Sequence, residues 1–205
     1  MTEVYTPTEG TIELEDVSIV GKKTYQVTQQ GIARTFQNIR LFKDVSVLDN
    51  VKIAMTPQYK YSMVAGILRL PSYWKAEKDI DDRAHELLKV VGLDEFAESD
   101  AKNLPYGKQR KLEIARAMAA NPKLLLLDEP AAGMNPTETR ELLETIQVIQ
   151  IKYGVSILLI EHDMSFVMNI CERLYVLDYG QVIAEGLPEK IRNNPKVIAA
   201  YLGGE

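Results

Sequence analysis

The sequence predicts an α/β protein with a parallel sheet, and three observations support this fold class. Residues 124–127 are an unbroken aliphatic run, and residues 155–160 are aliphatic except for Ser156. Such runs are typical of strands that helices cover on both faces. The segment between them has the pattern of one long helix, so the order is strand, helix, strand. Residues 44–118 are helical in pattern. We therefore expect a parallel sheet with a helical subdomain.

The N-terminal part of the chain predicts short elements. Residues 11–19 alternate apolar and acidic side chains, a pattern that favours a half-exposed strand. Residues 24–30 predict a short helix that ends at Gly31. Residues 32–36 predict a second strand, which precedes the helical middle of the chain.

The middle of the chain predicts amphipathic helices. Three segments place apolar residues at three- and four-residue spacing: residues 48–55, 84–93 and 109–119. Gly92 ends the second segment. Asn121 and Pro122 end the third, because proline cannot continue a helix.

The final third begins with the first aliphatic run and the helix after it. Asn135 can cap this helix, with Pro136 at the first helical position. The helix is expected to run to about Tyr153 and to stop at Gly154. The second aliphatic run, residues 155–160, then follows.

The C-terminal segment predicts a hairpin that turns near Tyr179 and Gly180, followed by a helical tail over residues 196–205. We expect residues 1–205 to form one domain. Within it, residues 44–118 would form the helical subdomain, and residues 173–205 the C-terminal hairpin and tail.

The composition excludes several classes of function. The chain has 29 acidic and 24 basic residues and a net charge of -5, which argues against nucleic acid as the main partner. Its one cysteine, Cys171, fits a reducing cytoplasm. No apolar run reaches the length of a membrane span, and the N-terminus does not have the pattern of a secretory signal.

Two acidic residues follow the first aliphatic run. Asp128 and Glu129 stand at the carboxyl end of the predicted strand, where ligands bind in open α/β sheets. The first acid could hold Mg²⁺ through water, and the second could activate an attacking water. The alternative is a buried strand that leaves the core through two solvated charges.

Three further positions could take part in the same chemistry. His162 follows the second aliphatic run and could bond a terminal phosphate oxygen, although a loop histidine without a ligand is the plainer interpretation. Gln37 follows a strand and could contact a metal-bound water. Gly107 precedes a helix and could admit an anion to its backbone N–H groups. His85 lies on an amphipathic helix, and we interpret it as solvated and structural.

The residues beside Gly107 carry positive charge. Lys108, Arg110 and Lys111 could add to the attraction of an anion at the helix start. The alternative interpretation is an ordinary helix start with a solvated basic face.

The order of these features resembles the ATP-binding subunit of ABC transporters, over nearly the whole chain. The segments LPYGKQRKLEIARAMAANPKLLLLDEPAAGMNP, IEHDMSFVM and VIAAYLGGE are similar to importers of branched-chain amino acids. Lipopolysaccharide-export ATPases share the layout but usually have Ser and Gly where Pro105 and Tyr106 stand. The resemblance implies a P-loop NTPase-like fold, with ATP and Mg²⁺ as ligands.

The resemblance also implies roles for the residues around the phosphates. Asp128 would hold Mg²⁺ through water, and Glu129 would act as general base. Gln37 would contact the metal and the attacking water. His162 would contact the γ-phosphate.

The remaining implied contacts are made across a dimer in which two subunits enclose two ATP molecules. The nucleotide-binding residues would be Leu104, Tyr106, Gly107, Lys108 and Asn135. The loop of residues 131–136 would lie along the subunit interface. Pro105, Tyr106 and Lys108 depart from the general signature Leu-Ser-Gly-Gly-Gln, and Asn135 stands where many relatives have Asp.

The sequence given contains no G-x-x-x-x-G-K-[ST] phosphate-binding loop: Lys23 follows Gly21-Lys22, and Gln109 follows Gly107-Lys108. The opening residues resemble the family's segment just after that loop. We therefore expect an N-terminally truncated sheet without its N-terminal strands, low stability of the isolated chain and ATP turnover near background.

The resemblance predicts an ATP-binding and ATP-hydrolysing subunit that energises import of branched-chain amino acids, whereas the truncated chain is expected to be poorly active. Its expected partners are a second ATP-binding subunit and transmembrane permease subunits. The expected location is the cytoplasmic side of the cell membrane, as a peripheral protein. Gln37 and the apolar residues 61–70 would meet the permease, unless residues 61–70 are ordinary subdomain core. The alternative function is a non-hydrolysing interaction module.

Overall fold

The structure is a computed structural model that describes residues 7–59, 68 and 70–201. It divides into two compact units, Met1–Ile160 and Glu161–Glu205. Of the segment expected to meet a permease, residues 61–70, all but residues 68 and 70 lie outside the described part.

The first unit opens with a small antiparallel hairpin. Strand β1, Glu13–Leu14, pairs with β2, Val17–Ser18. Glu15 and Asp16 form the turn with φ angles of 50° and 62°, as a two-residue hairpin turn requires. The prediction of one continuous strand over residues 11–19 is wrong, because alternation of apolar and acidic residues does not reveal a turn made by two acidic residues.

A three-stranded parallel sheet follows. Helix α1, Thr24–Gln29, leads into β3, Ile32–Arg34, and β3 pairs with β4, Leu124–Asp128. Strand β5, Ser156–Ile160, pairs with the other edge of β4. The predicted parallel sheet is therefore confirmed.

The two aliphatic runs differ in burial. In β4 the three central leucines are buried, as expected for a strand between two neighbours. In β5 burial alternates, and Leu158 and Ile160 are exposed. The expectation that helices cover both faces of β5 is wrong for the described residues, because Leu158 and Ile160 on one face are exposed. Within these residues β5 also pairs along one edge only.

The middle of the chain is helical, as predicted. Three helices make up most of it: α2, Val47–Met55; α3, Pro71–Val90; and α4, Tyr106–Ala119. Short 3₁₀ turns lie at Thr56–Gln58, Asp94–Phe96 and Ala101–Asn103. Gly92 after α3 has a φ of 70°, which is favourable for glycine and ends the helix.

Helix α5, Pro136–Tyr153, joins β4 to β5 and begins and ends where the sequence predicts. The Asn135 side chain accepts hydrogen bonds from the N–H groups of Thr137 and Glu138. Gly154 follows the helix with a φ of 61°. These caps satisfy backbone groups that the helix leaves unpaired.

A buried asparagine holds the loop before α2. Asn50 has no exposed surface, and its side-chain oxygen accepts a hydrogen bond from the N–H of Phe42. Its side-chain nitrogen donates to the carbonyl groups of Phe42 and Ser46 at 2.9 Å each. The loop that leads from β3 into the helices is therefore tied to α2 by one side chain.

The second unit contains the predicted hairpin and tail. Its elements are α6, Met164–Ile170; β6, Leu174–Asp178; β7, Gln181–Gly186; α7, Pro188–Arg192; and α8, Pro195–Tyr201. Strands β6 and β7 are antiparallel, and Tyr179 and Gly180 make the turn with positive φ angles. Val176, Ile191 and Val197 form its core. Across the described residues of both units, every helix is too short or too polar to cross a bilayer.

Replacing Asn50 with alanine is expected to lower the free energy of unfolding by about 2–4 kcal/mol, because the Phe42 and Ser46 backbone groups would lose their buried partner. Urea unfolding measures this loss. Asn103→Ala, at an exposed position in a 3₁₀ turn, is the control and should change stability by less than about 0.5 kcal/mol. Equal losses in the two variants would contradict the assignment.

Candidate active site

The two acidic residues lie where the central strand of the first unit ends. Asp128 is the last residue of β4 and is paired in register with Ile160 of β5. Glu129 follows with a φ of 44°, in the left-handed region, and its N–H donates to the carbonyl of Ile160 at 2.9 Å. Left-handed backbone at a residue other than glycine is strained, and such strain concentrates at functional sites.

The structure brings Gln37 and Glu129 together. The Gln37 side-chain nitrogen donates a hydrogen bond to Oε2 of Glu129 at 2.9 Å. An amide has one donating and one accepting end. Since the side-chain nitrogen faces the carboxylate, the side-chain amide oxygen of Gln37 remains available to a cation or a water molecule.

Asp128 makes an ion pair that the sequence did not indicate. Arg34, the last residue of β3, donates from Nη2 to Oδ2 of Asp128 at 2.7 Å. Both side chains are about three-quarters buried. The pair therefore gives the Asp128 carboxylate a fixed direction at the carboxyl edge of the sheet.

The side chains at this edge fit a magnesium ion that is bound together with phosphate. Mg²⁺ prefers oxygen ligands and usually takes only one or two carboxylates from the protein. Asp128 and Gln37 supply a carboxylate and an amide oxygen. The described part of the chain contains no cluster of three or more His, Cys, Asp or Glu residues that could hold a metal by itself.

The start of helix α4 contacts the loop that follows Glu129. Pro105 precedes the helix without a side-chain cap, and the Tyr106 hydroxyl donates to the carbonyl of Ala132 at 3.1 Å. Gly107 is buried, and a Cβ at this position would lie 3.0 Å from Oε1 of Glu138. Leu104 is buried, and its carbonyl accepts a hydrogen bond from the Gln109 side chain.

The alternative interpretation beside Gly107, a solvated basic face, is wrong for Arg110. Lys108 Nζ lies 3.6 Å from the centre of the Phe96 ring, and Lys111 pairs with Glu141 at 3.1 Å. Arg110 is fully buried. Helical periodicity could have placed Arg110 on the same face as the buried Ile114, four residues later, but charge alone favoured exposure.

Arg110, expected only to add positive charge near an anion, instead contacts the backbone of the Gln37 loop. Its guanidinium donates to the backbone carbonyls of Phe36 at 2.7 Å and of Gln37 at 2.8 Å. It also pairs with Glu113 at 2.9 Å. Hydrogen bonds from Arg110 therefore attach the loop that carries Gln37 to α4.

The same helix holds the far end of that loop. The Arg40 N–H donates to Oε1 of Glu113 at 3.2 Å, and Arg116 donates to the Arg40 carbonyl. Burial lowers the pKa of the Arg116 guanidinium from its ordinary value, and nearby Glu113 opposes this shift. Residues 36–40 are thus bound to α4 at both ends.

The other predicted site residues occupy simpler surroundings. Asn135 uses its side-chain oxygen to cap α5. His162 lies at the start of the second unit, with a side chain 73% exposed and its Nδ1 atom 3.6 Å from Oε2 of Glu161. The nucleotide contacts assigned to both residues stay predictions. The Nδ1 atom of His85, on α3, lies 2.8 Å from Oδ1 of Asp94, in keeping with a structural role.

Comparison with known families and proteins identifies relatives of this chain. A family model described as ABC transporter matches residues 1–132. A second one, described as branched-chain amino acid ATP-binding cassette transporter, matches residues 181–205. Together the two matches include Gln37, Asp128 and Glu129 and the C-terminal tail.

Individual relatives cover almost the whole chain. The high-affinity branched-chain amino acid transport ATP-binding protein LivG of Escherichia coli K12 is 48% identical, over 99% of this chain and 80% of its own. BraF of Pseudomonas aeruginosa, with the same description, is 42% identical over the same shares. Among solved structures, the ADP conformation of MJ1267, an ATP-binding cassette of an ABC transporter, matches with a TM-score of 0.78 and 29% identity, over 97% of this chain and 78% of the other.

The positive φ of Glu129 leads to a stability prediction. Glu129→Gly and Glu129→Ala both remove the carboxylate, but only glycine adopts this backbone without strain. The glycine variant should therefore be more stable than the alanine variant by about 1 kcal/mol in urea unfolding.

The matched control is the exposed helical residue Glu144 of α5, where the order should reverse. In a helix interior glycine is less stable than alanine by about 1 kcal/mol. An alanine variant at position 129 that equals or exceeds the glycine variant would show that this backbone conformation is not strained.

Proposed function

The chain belongs to the ABC transporter family, in its group of branched-chain amino acid ATP-binding cassettes, and from this membership we propose its reaction and its task. The protein binds and hydrolyses ATP and thereby energises the import of branched-chain amino acids. The observation that carries the proposal is the contact between Gln37 and Glu129 beside Asp128. It supports hydrolysis because it joins a base, an orienting amide and a cation-binding acid at one sheet edge.

Glu129 acts as the general base of the hydrolysis. It accepts a proton from the attacking water while the water oxygen bonds to the terminal phosphorus, and the bond from that phosphorus to the bridging oxygen breaks. Gln37 orients the water and the carboxylate. The hydrogen bond of 2.9 Å between Gln37 and Glu129 supports this assignment, since it sets the direction of the Glu129 carboxylate before the reaction begins.

Asp128 holds Mg²⁺ through water, with Gln37 as a second oxygen donor. When bound, Mg²⁺ neutralises charge on the phosphate oxygens. The ion pair with Arg34 at 2.7 Å supports this role because it keeps the Asp128 carboxylate at the sheet edge. His162 is assigned the contact with the γ-phosphate from family membership alone.

The start of α4 binds the ATP of a second subunit. Its first-turn N–H groups, at Tyr106, Gly107 and Lys108, have no acceptor within the helix, and a helix N-terminus attracts anions. Burial of Leu104 supports a fixed position for this segment. Asn135 and the loop of residues 131–136 lie along the subunit interface.

The complete transporter contains two ATP-binding subunits and transmembrane permease subunits. The ATP-binding subunits are peripheral, on the cytoplasmic face of the membrane, and the loop that carries Gln37 faces the permease. ATP binding closes the dimer, hydrolysis reopens it, and this motion drives the permease. The names of the relatives LivG and BraF support the branched-chain amino acids as cargo.

Glu129→Gln, introduced at the gene's own chromosomal locus, should reduce uptake of radiolabelled leucine, isoleucine and valine at least 100-fold. Loss of a general base typically removes a factor of about 10²–10⁴ in rate, and the amide keeps the size and the contact of the side chain. The control Glu144→Gln on α5 should leave uptake unchanged.

Immunoblotting of the same cells measures whether both variant proteins accumulate. Uptake that persists in Glu129→Gln cells would contradict hydrolysis at this site and would favour a non-hydrolysing interaction module. Deletion of the gene without any effect on the three amino acids would contradict the cargo.

A further inference from the structure

We propose that Arg110 is a positioning residue for the hydrolytic site. It fixes the loop that carries Gln37, and its hydrogen bond with the Tyr106 hydroxyl connects it to the loop that follows Glu129. The inference rests on the proposed function, since it assigns how two loops of that site are held. Arg110 itself touches neither Gln37's side chain nor Glu129 in the described contacts. It acts through backbone groups.

The Arg110 guanidinium holds the backbone at Gln37. Two guanidinium nitrogens of Arg110 donate to two consecutive carbonyls, those of Phe36 at 2.7 Å and Gln37 at 2.8 Å. Two bonds on adjacent peptide groups restrict rotation of the peptide between them. They therefore restrict the direction of the Gln37 side chain, which contacts Glu129.

The charge of this buried arginine has a partner on the same helix. Arg110 has no exposed surface, and Glu113, one turn later in α4, pairs with it at 2.9 Å. The other Glu113 oxygen accepts from the Arg40 N–H. The same ion pair thus neutralises the guanidinium and fixes the far end of the loop, which a core of apolar side chains would not do.

The Tyr106 hydroxyl has a hydrogen-bond partner on each side. It accepts a hydrogen bond from Arg110 Nη2 at 3.2 Å and donates one to the Ala132 carbonyl at 3.1 Å. Ala132 lies three residues after Glu129. The start of α4 is therefore connected through one hydroxyl to the segment that carries the general base.

These contacts give the helix start a mechanical role beside its nucleotide contact. A shift of Tyr106 on closure of the dimer would move the Arg110 guanidinium and the Ala132 carbonyl together. Both loops that carry the Gln37–Glu129 pair would respond. A general Leu-Ser-Gly-Gly-Gln signature has no hydroxyl of this reach at the position of Tyr106.

Tyr106→Phe is the most informative variant, because Tyr106 is exposed by 43% and the change removes one oxygen. In the transporter complex purified from its native host, we expect kcat for ATP hydrolysis to fall about 10-fold while KM for ATP stays within twofold. Tyr25→Phe, at an exposed helix position in the same unit, is the control and should match wild type. A raised KM with unchanged kcat would overturn the link, because it would make the hydroxyl an ATP contact.

Arg110→Lys tests, without any need for hydrolysis, whether Arg110 fixes the loop of residues 36–40. Lysine keeps the positive charge beside Glu113 but cannot reach two carbonyls and a hydroxyl at once. In the nucleotide-free complex, hydrogen exchange of the amides in residues 36–40 should become about 10-fold faster, with helix α5 unchanged as an internal reference. Unchanged exchange in residues 36–40 would overturn the proposal.

The two measurements separate the inference from the proposed function. A wild-type complex without ATPase activity would contradict hydrolysis, and the exchange rates would still decide whether Arg110 holds the loop. A wild-type complex that is active, with Arg110→Lys showing normal kcat and normal exchange, would overturn the inference alone.

Discussion

The candidate site depends on the parallel pairing of β3 with β4. Arg34 at the end of β3 is paired with Leu126, and the N–H of the next residue, Thr35, still donates to the Leu126 carbonyl. The chain after β3 therefore runs beside the last residues of β4 before it turns away. This places Gln37 within hydrogen-bond distance of Glu129, although 92 positions separate them in the sequence.

Helix α4 provides the side chains that hold the Gln37 loop in place. Its buried face carries apolar side chains together with the ion pair of Arg110 and Glu113. A buried charge is tolerated only when its partners satisfy it. Two of the four hydrogen-bond partners of Arg110 are backbone carbonyls of the Gln37 loop, and the other two are the Glu113 and Tyr106 side chains. The polar contacts in this core thus define the path of the Gln37 loop. Glu129, whose backbone has a positive φ, contacts the Gln37 side chain of this loop.

Most secondary structure could be predicted because it follows from local chemistry. Asn135, Pro136 and Gly154 define the ends of α5 in the structure as they do in the sequence, since caps depend on residues within one turn. The hairpin turn at residues 15–16 was missed, because acidic residues also occupy exposed strand positions. The exposed face of β5 was missed because an aliphatic run does not reveal whether both faces of a strand are covered.

The sequence by itself determined the fold class, the carboxyl-end position of Asp128 and Glu129, and the resemblance to ATP-binding subunits, because residue types at short spacing carry that information. Only the tertiary structure decided the partners of these residues. Arg34 reached Asp128, and Arg110 became buried against the Gln37 loop, through contacts between segments about 70 to 90 positions apart. Such contacts depend on strand register and helix packing, which a linear pattern of charges does not specify.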